Sequence, residues 1–109
     1  MRAQHTPGPW SVKPEEVDRA YIRVRGTHLG GRFKIANVLT PNYEGSHPRE
    51  ADETRANARL IAAAPDLLAA LQVMLRDYAA VHDVGDVEMQ PAIYQARAAI
   101  ARATHKEQT

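Results

Sequence analysis

The sequence contains no cysteine. Disulfides, thiolate metal sites and a cysteine nucleophile are thereby excluded, and a reducing compartment fits. Aromatic residues are scarce at 6%, with one Trp and one Phe in 109 residues, too few for a platform on which bases stack. Neither sign of charge dominates. The formal net charge is +1, so no global field draws the chain to a membrane, and a broad nucleic-acid footprint is not expected. The start, Met1 to Pro7, lacks the apolar core of a secretory signal. The most apolar stretch, Leu60 to Leu75, is interrupted by Pro65, Asp66 and Gln72, which marks it as too short and too polar to span a bilayer. A cytoplasmic location is the expectation.

What is present is ordinary for a folded protein: 44% hydrophobic and 25% charged residues. The length suits one domain over 1–109, large enough for a core without covalent staples. Before residue 50 the chain favours strands and turns; after it, alanine and leucine dominate.

Pro7-Gly8-Pro9 forces an extended or turning entry, because each proline fixes φ and restricts the residue before it. Trp10 and Val12 then read as a short strand ended at Pro14. Ala20 to Arg25 is the clearest strand: Ile22 and Val24 face one way, Tyr21, Arg23 and Arg25 the other. Gly26 to Arg32 reads as a hairpin loop, and Phe33 to Leu39 as a third strand with Phe33, Ile35 and Leu39 on one face. A three-stranded antiparallel meander over 9–39 follows. Pro41, Asn42, Gly45 and Pro48 make 40–51 a loop.

A helix is predicted over 52–82, capped by Asp52, with an apolar stripe from Leu60 through Leu67, Leu71 and Leu75. Pro65 is expected to break or kink it, a break being favoured, because proline removes a donor and fits best at a first helical position. A final helix is predicted over 90–104, opened by Pro91, with a polar tail at 105–109. The fold class expected is α+β: a meander packed against two to three C-terminal helices. Trp10, Ile22, Val24, Phe33, Ile35, Leu60, Leu67, Leu68, Leu71 and Ile100 are its expected core.

The strongest local charge pattern lies in the meander. Arg23 and Arg25 share one strand face, Lys34 belongs on the polar face of the next strand, and Tyr21 lies beside them. The connecting loop adds His28, Gly30, Gly31 and Arg32; adjacent glycine N–H groups can cradle an anion. These eight residues form a candidate surface for a phosphate- or carboxylate-bearing partner. The plainer reading is a solvated strand face, with Glu15, Glu16 and Asp18 nearby to balance the charge. Arg49, Arg55 and Arg59 alternate with Glu50, Asp52 and Glu53 and read as a solvated helix face.

No catalytic constellation is visible. Ser11 and Ser46, the only serines, sit in no nucleophile elbow. Gly26 to Gly31 has neither P-loop nor dinucleotide spacing. The five histidines form no helical i,i+4 pair, so neither a metal nor another cofactor is expected.

Two segments do look familiar: His5-Thr6-Pro7-Gly8-Pro9-Trp10, and Ala56-Asn57-Ala58-Arg59-Leu60-Ile61-Ala62-Ala63-Ala64-Pro65-Asp66-Leu67-Leu68-Ala69-Ala70-Leu71. In this order they resemble a family of short accessory proteins of bacteriophages and prophages. The resemblance covers most of the chain, which departs from it in a longer strand region and a long 40–50 loop. It implies no enzymatic activity and no catalytic residues; it implies a setting, in which small phage proteins work by binding and often oppose host defences. The expectation is therefore a non-enzymatic counter-defence protein that sequesters a small anionic nucleotide signal. An alternative is an inhibitor that binds a host defence complex such as a CRISPR effector. A third reading is a structural or regulatory homodimer formed through an alanine-rich helix.

Overall fold

The computed structural model describes residues 4–17, 19–27, 33–39, 48–82 and 90–104, with 48–50 described for their backbone alone. The elements run β1 (Trp10–Val12), β2 (Tyr21–Gly26), β3 (Lys34–Leu39), α1 (Pro48–Val81) and α2 (Pro91–Thr104). The fold is α+β, with one open antiparallel sheet in the order β1-β2-β3 followed by two helices. The chain divides into two compact units, Met1–Asp66 and Leu67–Thr109.

In the first unit β2 is the central strand, and its alternation decides the packing. Ile22 and Val24 are buried while Tyr21, Arg23 and Arg25 are half-buried on the other face. Trp10 pairs with Gly26 and Val12 with Val24 on one side; Val24 pairs with Ala36 and Ile22 with Val38 on the other. The core is Ile22, Val24 and Ala58, with Trp10, Ile35, Ala36, Val38, Ile61 and Ala62 packed against it. Trp10 is held by its indole N–H, which donates to the Thr6 carbonyl at 3.0 Å. The Gly8-Pro9 peptide is cis.

Several expectations need correcting. A bulge between Val24 and Arg25 places Arg25 opposite Lys34 and Val24 opposite Ala36, leaving Ile35 out of the ladder. The extra residue moves the inward set to Ala36 and Val38. Leu39, paired with Tyr21, therefore lies on the outer face and is exposed, and Phe33 is exposed as well. Leu60 and Leu67 are also exposed, outside the core expected for them.

The break at Pro65 is absent: α1 runs through it. Proline removes one hydrogen bond, while alanine and leucine, the strongest helix formers, surround it. Pro65 also packs closely on Gly8, where an added Cβ would lie 2.9 Å from the Pro65 Cβ. α1 begins at Pro48 rather than at Asp52, so residues 48–51 of the expected loop are helical, and Asp52 pairs with Arg55 instead of capping. The rest of that loop, residues 83–89 and the tail lie outside the described residues.

In the second unit Ile93 is buried, and Tyr78 links the helices by donating its hydroxyl to Gln90 Oε1 at 2.8 Å. The His82 ring stacks on Tyr78, with centroids 3.8 Å apart. α1 contains, between Ala51 and Val81, a stretch long and apolar enough by length and composition to cross a membrane. The expectation that the apolar run is too short is corrected on that count, because the helix continues on both sides of it.

Candidate functional site

The outer face of the sheet brings together part of the predicted basic surface. Tyr21, Arg23 and Arg25 project from β2, and Lys34 sits opposite Arg25. His28, Gly30, Gly31 and Arg32 lie outside the described residues.

The arginines here are largely committed to the protein itself. Arg23 reaches Glu16 at 3.0 Å, and Arg19 reaches the same carboxylate at 2.6 Å. Arg19 also donates to the Tyr21 hydroxyl, and that bond, with the Glu16 contact second, raises its pKa above the ordinary guanidinium value. Arg25 donates to the Val24 carbonyl at 2.9 Å, the Ala36 carbonyl at 3.1 Å and Asn37 Oδ1 at 3.1 Å. It stitches β2 to β3. Lys34 is exposed, and the Ser11 hydroxyl oxygen, on β1 opposite Arg25, is buried with no hydrogen-bond partner among the described residues.

A second site, missed in the sequence, lies in the same unit. Val12, Lys13, Pro14, Glu15, Ile22, Arg55 and Arg59 line an open cavity of about 420 Å³. Its size falls within the range of small-molecule sites. Val12, Pro14 and Ile22 supply an apolar floor. Arg55 and Arg59 are one helical turn apart, so α1 presents both to the same side.

The charges are not equivalent. Arg55 forms a two-point pair with Glu15, Nε to Oε2 at 2.9 Å and Nη2 to Oε1 at 3.2 Å, and its Nη1 meets Asp52 at 3.0 Å. Neither Lys13 nor Arg59 has a side-chain hydrogen bond or ion pair among the described residues. The only sequence signal for this arrangement is the Arg55, Arg59 spacing. What the spacing does not show is that Lys13 and Ile22 face it.

The hydrogen bond from Arg55 holds the Glu15 carboxyl below its ordinary pKa, against a smaller opposing effect of burial. A carboxylate whose folded pKa is depressed contributes stability above its unfolded pKa and loses it as pH falls through the folded value. The pair is exposed, so the contribution is small. Glu15→Gln is expected to lower the melting temperature slightly at neutral pH and to match the wild type in acid, once the pH lies below the depressed folded pKa of Glu15. Melting curves of both proteins across that range check this. A gap that persists unchanged in acid would mean the pair is not its source.

Among the described residues, no three or more His, Asp or Glu side chains gather as a metal site would require. No curated protein and no solved structure matches the chain. The family described as Salmonella phage P22 protein Y8K6 matches residues 1–107. That match takes in the proline-rich entry that seats Trp10, the three strands and both helices, so the chain belongs to this phage protein family.

Proposed function

We propose that this phage accessory protein acts by binding rather than by catalysis, and that its ligand is a small anion with an apolar part. One observation carries the reading: Lys13 and Arg59 are cations without a protein partner among the described residues, set beside the apolar floor of a 420 Å³ cavity. Two cations suit phosphate oxygens, and Val12, Pro14 and Ile22 suit the flat face of a base. A nucleotide signal of the host's antiviral defence fits both, which makes sequestration the mechanism: the protein lowers the free signal by holding it. The phage family supports the setting. The sheet face is secondary, because Glu16 and backbone carbonyls already occupy its arginines.

The experiment is native mass spectrometry of protein purified from a bacterial host, followed by calorimetric titration with linear and cyclic nucleotides. The expected result is extra mass in the nucleotide range, or heat with one of the probes, abolished by Arg59→Glu with the circular dichroism spectrum unchanged. Arg59 is exposed, so the fold does not depend on it. Apo mass with no heat from any probe overturns the nucleotide reading and leaves a host defence complex as the target to test by pulldown.

A further inference from the structure

α1 has two apolar sides, and only one of them is covered by the sheet. Thr54, Ala58, Ile61 and Pro65 follow each other at three- and four-residue steps. Thr54 and Ala58 are buried, and Ile61 packs on the sheet core. At about 100° per residue, the opposite side of the helix carries Leu60, Leu67, Met74 and Val81, seven residues apart. Each is more than half exposed, at 62, 53, 68 and 76%. At alternating steps of four and three with them come Ala56, Ala63, Ala70 and Asp77. This is a heptad seam, the pattern by which one helix packs along another. It is about 37 Å long at 1.5 Å per residue.

Lipid is a poor occupant for this ridge, although the helix is long and apolar enough by length and composition to cross a membrane and only 11% of its most apolar stretch is buried. Ala58, Ile61 and Ala62 are already packed against a sheet whose rim carries the Arg55–Glu15 pair. The helix beyond Pro65, from Asp66 to Val81, is about 24 Å long, short of a hydrocarbon core of about 30 Å, and it begins on a carboxylate.

We propose that the ridge is the interface of an antiparallel homodimer. The argument is self-complementarity, which a two-fold interface requires because the same surface serves both copies. Reversed against itself, the seam sets Leu67 opposite the partner's Ala70, Met74 opposite the partner's Ala63, and Val81 opposite the partner's Ala56. Every large side chain in these pairs meets a small one, as close packing of two helices demands. Leu60 falls opposite the partner's Asp77, whose charge has Arg76 of its own helix 3.9 Å away. A parallel pairing in register fails on both counts. It stacks leucine on leucine, leaves voids between facing alanines, and sets Asp77 against a second Asp77. None of the ridge residues lines the ligand cavity, so the proposal does not rest on the cavity reading.

Sedimentation equilibrium of the full chain at tens of micromolar is expected to give twice the 12.1 kDa chain mass. Leu67→Glu and Met74→Glu, both at exposed positions, are expected to give monomers with an unchanged circular dichroism spectrum, each weakening association on the order of tenfold or more. Orientation is read by cross-linking, which is clean because the chain has no cysteine. Ala63→Cys combined with Met74→Cys is expected to give a covalent dimer on oxidation, and Met74→Cys alone is not. A wild-type monomer at every concentration overturns the proposal. So does efficient cross-linking of Met74→Cys alone, which indicates parallel helices.

Discussion

Trp10→Ala is expected to cost about 3 kcal/mol, the lower end of the range for removing a core Trp, because the side chain is half-buried rather than sealed. Two separate losses combine. The indole packs against Ile22, Val24 and Ala58, so its removal opens a cavity on the sheet core. Its N–H also anchors the Thr6 carbonyl at 3.0 Å, and the His5 ring rests edge-on against it, with centroids 6.1 Å apart. Without that anchor the entry segment loses one of its polar ties to the sheet. Thr27 keeps a further one, through its backbone N–H and hydroxyl to the Pro9 carbonyl. Trp10→Phe narrows the loss: it keeps an aromatic ring in the core and removes the donor, worth about 1 kcal/mol, together with the outer part of the indole. Urea unfolding followed by circular dichroism is the measurement, since the substitution removes the only tryptophan as a fluorescent reporter. Equal midpoints for Trp10→Ala and the wild type would show that the indole is not part of the stabilising core.

The sheet was readable from the sequence because β2 alternates without interruption: Ile22 and Val24 on one face, three polar-tipped side chains on the other. β3 was not fully readable. A bulge leaves no trace in composition, and one extra residue at Ile35 reverses the face on which Leu39 falls. α1 was legible as a helix but not as a continuous one, because the local rule for proline takes no account of Gly8 leaving room against the Pro65 ring. The candidate sites show the same limit. The sequence displays five cations between Arg19 and Lys34, yet nothing in it shows that Glu16 folds back onto two of them. The cavity joins residues 12–15 and 22 to residues 55 and 59, and that juxtaposition exists only after α1 docks on the sheet.

Docking depends on one small residue, and this gives the largest expected effect. Ala58 is fully buried, at 0% exposure, against Ile22 and the equally buried Val24. A methyl group there lets the helix approach the strand closely. Ala58→Asp inserts a carboxylate among Ile22, Val24 and the apolar side chains that surround them. An uncompensated buried charge costs about 3–5 kcal/mol, a large share of the roughly 5–15 kcal/mol that holds a domain together. The first unit is therefore expected to unfold or nearly so at room temperature. Trp10 lies in that unit and is the only tryptophan, so its emission reports the loss directly. Ala58→Val keeps the chemistry apolar and changes only volume, with an expected cost of about 1–3 kcal/mol from overpacking. Ala69→Asp, on the same helix at an exposed position, is expected to stay within about 0.5 kcal/mol of the wild type. A graded series from Ala69→Asp through Ala58→Val to Ala58→Asp in chemical denaturation would establish that the fold rests on close contact between α1 and β2. Equal tolerance of aspartate at 58 and 69 would mean that the helix does not need the sheet.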